Sequence, residues 1–161
     1  SEMCIRDSGK TDAEMKKIRE AELKHGRLAM VASLGFLTGE NFNPFFDGKI
    51  SGPAIYQFQQ ADDLLPYFWV LVMFGVALVE GQTILTGWES PEATKARGDT
   101  VANLKESYVN GDLGFDPLGL KPDNDEDFNV MRTKELQNGR LAMLGIAGMV
   151  AQELVTGKTI F

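Results

Sequence analysis

The chain has 161 residues, enough for one domain, and its net charge of −7 lacks the basic footprint that nucleic-acid binding requires. A single cysteine, Cys4, excludes an intramolecular disulfide and a cysteine metal cage, and a single histidine, His25, excludes a multi-histidine metal site within the chain. Ten Phe, seven Met and seventeen Gly make an apolar, small-residue-rich composition, and the mean hydropathy of −0.14 is an average over segments of very different character.

Residues 1–10 (SEMCIRDSGK) have no periodicity, no cleavable signal and no match elsewhere in the chain. They read as a disordered tail or a scar of processing, and no function is assigned to them or to Cys4. The first predicted helix runs from about 12 to 40. It begins polar and turns apolar after Arg27 (LAMVASLGFLTG), with no proline. After the connection 41–63 comes LLPYFWVLVMFGVALVEGQTIL, residues 64–85, with one charge, Glu80. Those 22 residues suffice to cross a bilayer core of ~30 Å as a helix, and Pro66 falls near the start, where proline is tolerated. The connection 86–134 is polar, and its stretch 121–127 (KPDNDED) reads as a solvated loop and helix start. A third helix is predicted from about 126 to 157, again polar first and apolar after Arg140 (LAMLGIAGMVAQELVTG).

The third helix repeats the first. ELKHGRLAM at 22–30 and ELQNGRLAM at 135–143 agree at seven of nine positions, an offset of 113 that also matches Gly35 with Gly148 and Glu40 with Glu153. Two such copies predict two equivalent helices related by a pseudo-two-fold axis, with a different helix between them. The basic residues are sorted as well. Seven Lys and Arg lie in 1–27 and six in 86–134, but only Lys49 in 41–63 and only Lys158 at the C-terminal end. Three crossings put the basic segments on one side, as the positive-inside rule expects. The predicted fold class is therefore an all-α membrane protein of one domain, residues 1–161. It has three transmembrane helices, the first and third crossing and the middle one separate.

Charges within such helices are costly unless paired or functional. At 3.6 residues per turn, Glu22 and His25 share a face, and Arg27 points about 140° away from Glu22. Arg27 is thus expected to reach the partner helix, which predicts the pairs Glu22 with Arg140 and Glu135 with Arg27. Small residues Ala29, Ala32, Gly35, Ala142, Gly145 and Gly148 are expected to let the helices approach. An arginine neutralises a carboxylate but leaves an oxygen lone pair for a hard metal such as Mg²⁺. His25 and Asn138, each three residues after the glutamate, supply further donors on its face. Glu40 and Glu153 read as solvated helix ends, and Met30, Phe36, Met143 and Met149 as packing.

ExxHGRLAM at 22–30, ExxNGRLAM at 135–143 and GFDPLGL at 114–120 resemble the light-harvesting chlorophyll-binding superfamily over most of residues 14–158. The resemblance implies chlorophyll Mg ligation by Glu22, His25, Glu80, Glu135, Asn138 and Gln152, with Arg27 and Arg140 as inter-helix charge partners. It implies a carotenoid end-group turn at Asp116, Pro117, Leu118 and Gly119. Where green-plant members have Arg and Gln, Thr83 and Val72 stand here, so the charge partner of Glu80 is left open. The compact length and short tail after the third helix resemble the chlorophyll a/c antennae of algae with red-lineage plastids. The implied cofactors are chlorophyll a with chlorophyll c, a carotenoid such as fucoxanthin, peridinin or alloxanthin, and lipids. The implied partners are a photosystem core, I or II, neighbouring antenna proteins and thylakoid lipids. The implied setting is the plastid thylakoid membrane, with the N-terminus and 86–134 stromal and the C-terminus lumenal.

The function implied is to absorb light and pass excitation to a photosystem core. The alternative is a photoprotective, energy-dissipating relative. A small membrane transporter, from a different class, would need a polar path, whereas these charges are matched and clustered. No nucleophile–base pair and no phosphate loop suggests an enzyme.

Overall fold

A computed structural model describes residues 12–42, 48–98, 101–122 and 124–160. The reading of residues 1–10 and Cys4 lies outside them. The described residues form five helices: α1 (Asp12–Asn41), α2 (Ala54–Leu64), α3 (Phe68–Gly87), α4 (Pro91–Arg97) and α5 (Asp125–Thr156). Within the described residues the one β-type pairing is an isolated antiparallel bridge between Trp88 and Leu104.

Local chemistry sets the ends. Asp12 and Glu14 in the first turn of α1, and Asp125, Glu126 and Asp127 in that of α5, face the positive ends of their helix dipoles. The side chain of Asn124 caps α5 by accepting from the Glu126 N–H, and Gly157 closes the helix at φ 64°. The middle helix starts at Phe68, after the start of the apolar run at 64: Leu65, directly before Pro66, is extended, as proline requires of its predecessor, and Tyr67 then takes a left-handed φ of 72°. Residues 54–63, expected as part of a connection, and Leu64, expected to begin the middle helix, form the short helix α2. Its first turn is held by the carboxylate of Glu153, which accepts from the Ile55 N–H at 2.8 Å.

The main packing is between α1 and α5. They cross where Gly26 meets Gly139. A Cβ added to Gly26 would lie 3.0 Å from the Gly139 Cα, and one added to Gly139 would lie 2.9 Å from the Gly26 Cα, so backbone touches backbone. Leu23, Ala29 and Leu136 are buried around this point, and Ser33 Oγ donates to the Ala142 carbonyl at 3.4 Å. The expectation that Gly35, Gly145 and Gly148 line the crossing is corrected, since a Cβ on any of them would meet nothing within 4 Å. All three are exposed: nine residues on from Gly26 and Gly139, Gly35 and Gly148 fall on the opposite faces of their helices, and Gly145 also points away from the contact.

Among the described residues α3 is the one helix long and apolar enough, by length and composition, to cross a membrane. It packs along neither α1 nor α5, and Leu71, Met73, Phe74, Leu78 and Val79 are all exposed. Leu28, Val31, Leu34, Leu141 and Leu144 on the crossing pair are bare too. Apolar surface on this scale demands lipid or a bound apolar partner.

Candidate functional site

Two ion pairs flank the Gly26–Gly139 crossing. Arg27 Nε donates to Glu135 Oε1 at 2.6 Å, and Arg140 Nε donates to Glu22 Oε1 at 2.6 Å. In each pair one carboxylate oxygen is taken and the charge neutralised. Among the described residues the other oxygen of Glu135 receives no hydrogen bond, and Arg19 Nε lies 4.0 Å from that of Glu22. Arg19 itself recurs as Arg132 at the same offset of 113, an extension of the repeat that the motif alone did not expose.

Glu80 follows the same design. Its partner, left open by the sequence, is Lys24, whose Nζ lies 2.6 Å from Glu80 Oε2. A search within α3 could not find it, because the contact spans 56 positions of sequence. Lys24 sits on α1 two residues past Glu22, where the repeat has Gln137. All three glutamates therefore present an oxygen donor whose charge is already compensated.

His25 is exposed, with Nδ1 2.7 Å from the Ala21 carbonyl oxygen. A carbonyl only accepts, so Nδ1 carries the proton, and in the neutral ring Nε2 is the nitrogen with a lone pair to offer. Asn138 and Gln152 are exposed, and among the described residues their amides make no hydrogen bond. No three His, Cys, Asp or Glu side chains among the described residues converge on one point. Six separated donors on bare helix faces suit metals that each need one protein ligand and bring the rest of their coordination with them.

The turn at 116–119 is built by Asp116, whose carboxylate accepts from the Leu120 N–H at 3.0 Å and the Lys121 N–H at 2.9 Å. These N–H groups hold the acid below the usual carboxylate range. The turn leaves Pro117, Leu118 and Gly119 exposed, with Gly119 at φ 64°. Asp112, bonded to Lys121 at 2.6 Å, is likewise lowered. A cavity of about 380 Å³ connects this turn to the Arg27–Glu135 pair and is walled by Phe115, Phe128 and Met131.

Two further constellations lay beyond sequence reasoning. Glu20 is buried, accepting from the Tyr108 hydroxyl at 3.0 Å and the Gly111 N–H at 3.0 Å. Burial first, then the neighbouring Glu20 charge, pushes the Tyr108 phenol up to about 12. At the other end, Glu153 is 0% exposed, which corrects its reading as a solvated helix end. It holds the start of α2, while Glu40 accepts from the Ile160 N–H at 2.9 Å. Each long helix thus ends in a glutamate that grips the segment following the other one.

The sequence matches the profile of the family described as Chlorophyll A-B binding protein over residues 6–154. It is 46% identical over 153 residues to light-harvesting complex stress-related protein 3.2 of Chlamydomonas reinhardtii, a match covering 92% of this chain and 56% of that protein. It is 46% identical over 152 residues to a fucoxanthin-chlorophyll a-c binding protein of Isochrysis galbana, covering 94% of this chain and 70% of the relative. The chlorophyll a-b binding protein CP24 10B of Solanum lycopersicum is 31% identical over 153 residues. The chain spans little more than half the length of the Chlamydomonas relative.

Proposed function

The chain belongs to the chlorophyll A-B binding protein family, and on that premise we propose that it is a light-harvesting antenna protein that holds chlorophyll and carotenoid and passes excitation to a photosystem core. One observation carries the reading: Glu22, Glu80 and Glu135 each hold one oxygen 2.6 Å from a cation while the side chain stays between a quarter and a half exposed. A chlorophyll Mg²⁺ is ringed by its own macrocycle and needs one axial oxygen or nitrogen. A neutralised carboxylate supplies that donor without bringing net charge into an apolar site. His25, Asn138 and Gln152 add single neutral donors. The macrocycles would cover the exposed leucines and fill the space between α3 and the crossing pair. The 116–119 turn and the cavity beside it would take a carotenoid end group. When bound, the pigments absorb the light; the protein fixes their ligation, orientation and local field.

In this reading α1, α3 and α5 each cross the thylakoid membrane, with 86–134 on the stromal side and 48–65 on the lumenal side. The likeness to the Isochrysis protein supports chlorophyll a with chlorophyll c and a fucoxanthin-type carotenoid. The partners are a photosystem core, neighbouring antenna proteins and thylakoid lipids. A second reading, a protein that dissipates excitation, is favoured by equal identity to the stress-related relatives.

Purification in mild detergent from native membranes tests the proposal. Chlorophyll a, chlorophyll c and carotenoid are expected in the extract, with carotenoid excitation feeding chlorophyll a emission. A strongly shortened emission lifetime would select the dissipative reading. A colourless, stably folded protein would sink both.

A further inference from the structure

At its start α3 touches α2, where Trp69 Nε1 donates to the Phe58 carbonyl at 3.1 Å, but it lies along neither α1 nor α5. Besides the half-exposed Lys24–Glu80 pair, its tether to α1 is the segment 102–111. That segment grips the end of α3 through the backbone. Lys105 N–H donates to the Gly87 carbonyl at 2.9 Å, and Lys105 Nζ donates to the Leu85 and Thr86 carbonyls at 2.8 and 3.1 Å. The Tyr108 ring lies flush on Gly87, where an added Cβ would come within 3.2 Å of it.

The same segment grips α1. Lys16 Nζ donates to the Lys105 carbonyl at 2.6 Å, and Asn110 Nδ2 donates to the Lys16 carbonyl at 2.6 Å. Buried Glu20 receives the Tyr108 hydroxyl and the Gly111 N–H, and Arg27 Nη2 donates to the Gly111 carbonyl at 2.8 Å. Since Arg27 also holds Glu135, an unbroken hydrogen-bonded path runs from the phenol lying on α3 to the Mg-ligating carboxylate assigned to α5.

We propose that Glu20 and Tyr108 are positioning residues for excitation transfer: the bracket they lock fixes α3, and the pigment held at Glu80, relative to the pigments held at Glu22 and Glu135. The proposal rests on the antenna reading. Dipolar coupling between pigments falls steeply with separation and depends on their mutual angle. Since α3 lies along neither α1 nor α5 and meets α1 through the half-exposed Lys24–Glu80 pair, the bracket at its end bears on both quantities, and a small change there is levered along the helix.

The test uses the full chain reconstituted with chlorophyll a and thylakoid pigment extract. Tyr108→Phe keeps the ring on Gly87 and removes one hydrogen bond, Glu20→Gln removes the buried charge, and Gly87→Ala pushes on the ring from the α3 side. Glu106→Gln, an exposed change in the same segment, is the control. Readouts are pigment stoichiometry, low-temperature visible circular dichroism, and the spin-label distance between Gln82→Cys on α3 and Thr133→Cys on α5 in a Cys4→Ser background. The expected result is unchanged stoichiometry in Tyr108→Phe and Gly87→Ala, with loss of excitonic band amplitude and a broadened or shifted distance. The control should match the parent. Pigment-complete variants with parental spectra and distances would overturn the proposal, even if they melted earlier, because the bracket would then be structural only. A colourless parent would instead overturn the antenna reading. If Glu20→Gln fails to fold, the other two variants decide.

Discussion

Lys24 and Glu80 give the most direct residue-scale test of compensated ligation. Lys24→Met leaves Glu80 as an unpaired anion in an apolar setting, so the middle-helix chlorophyll is expected to be lost. Lys24→Met with Glu80→Gln removes both charges and keeps an oxygen donor, so that chlorophyll should return. Pigment extraction at fixed protein concentration measures both, and a double variant as empty as the single one would refute charge compensation as the design. At the crossing, Gly26→Ala must separate two touching backbones. It is expected to cost about 1–3 kcal/mol by overpacking, read as a lower thermal midpoint. For Tyr108 the raised phenol pKa fixes the sign of the pH dependence. Its contribution is fully present below the ordinary value of 10 and is lost as pH rises through about 12. The phenolate absorbance that Tyr108→Phe removes should appear in that window and nowhere lower.

At the scale of the element, α3 is defined by composition and α1 and α5 by their repeat. The apolar run 64–85 specifies a helix but not its first turn, which the left-handed Tyr67 moves to Phe68. The short helix α2 was not legible, because its start depends on an acceptor, Glu153, that lies 98 residues away. A charge placed at mid-length on α3 separates lipid from water as its surroundings. Phe74→Arg, at a 64% exposed position, should oppose membrane insertion by about 2.5–3.5 kcal/mol and be nearly neutral in water. The fraction integrated in a microsomal insertion assay reads the difference. An unchanged fraction would remove α3 from the bilayer.

The whole molecule is organised by the pseudo-two-fold of α1 and α5. Gly26 and Gly139 touch at its centre, two Glu–Arg pairs flank them, and Glu40 and Glu153 grip opposite segments at one end. The proposed orientation makes a sided prediction. Trypsin added to the stromal face of intact thylakoids should cut at Lys95, Arg97 or Lys105 and spare Lys49 until the membrane is opened. The reverse pattern would invert the topology.

By itself the sequence determined the helical class, the two equivalent helices and the residues with donor chemistry. These rest on local periodicity, on a repeat within one chain, and on the cost of charge in apolar segments. Tertiary structure alone decided which glycines meet, which cation serves Glu80, why Glu153 is buried and how α3 is held. Each of those depends on where a segment distant in sequence comes to lie, 113 positions away for Gly26 and Gly139 and 56 for Lys24 and Glu80, and neither periodicity nor composition along one segment encodes that.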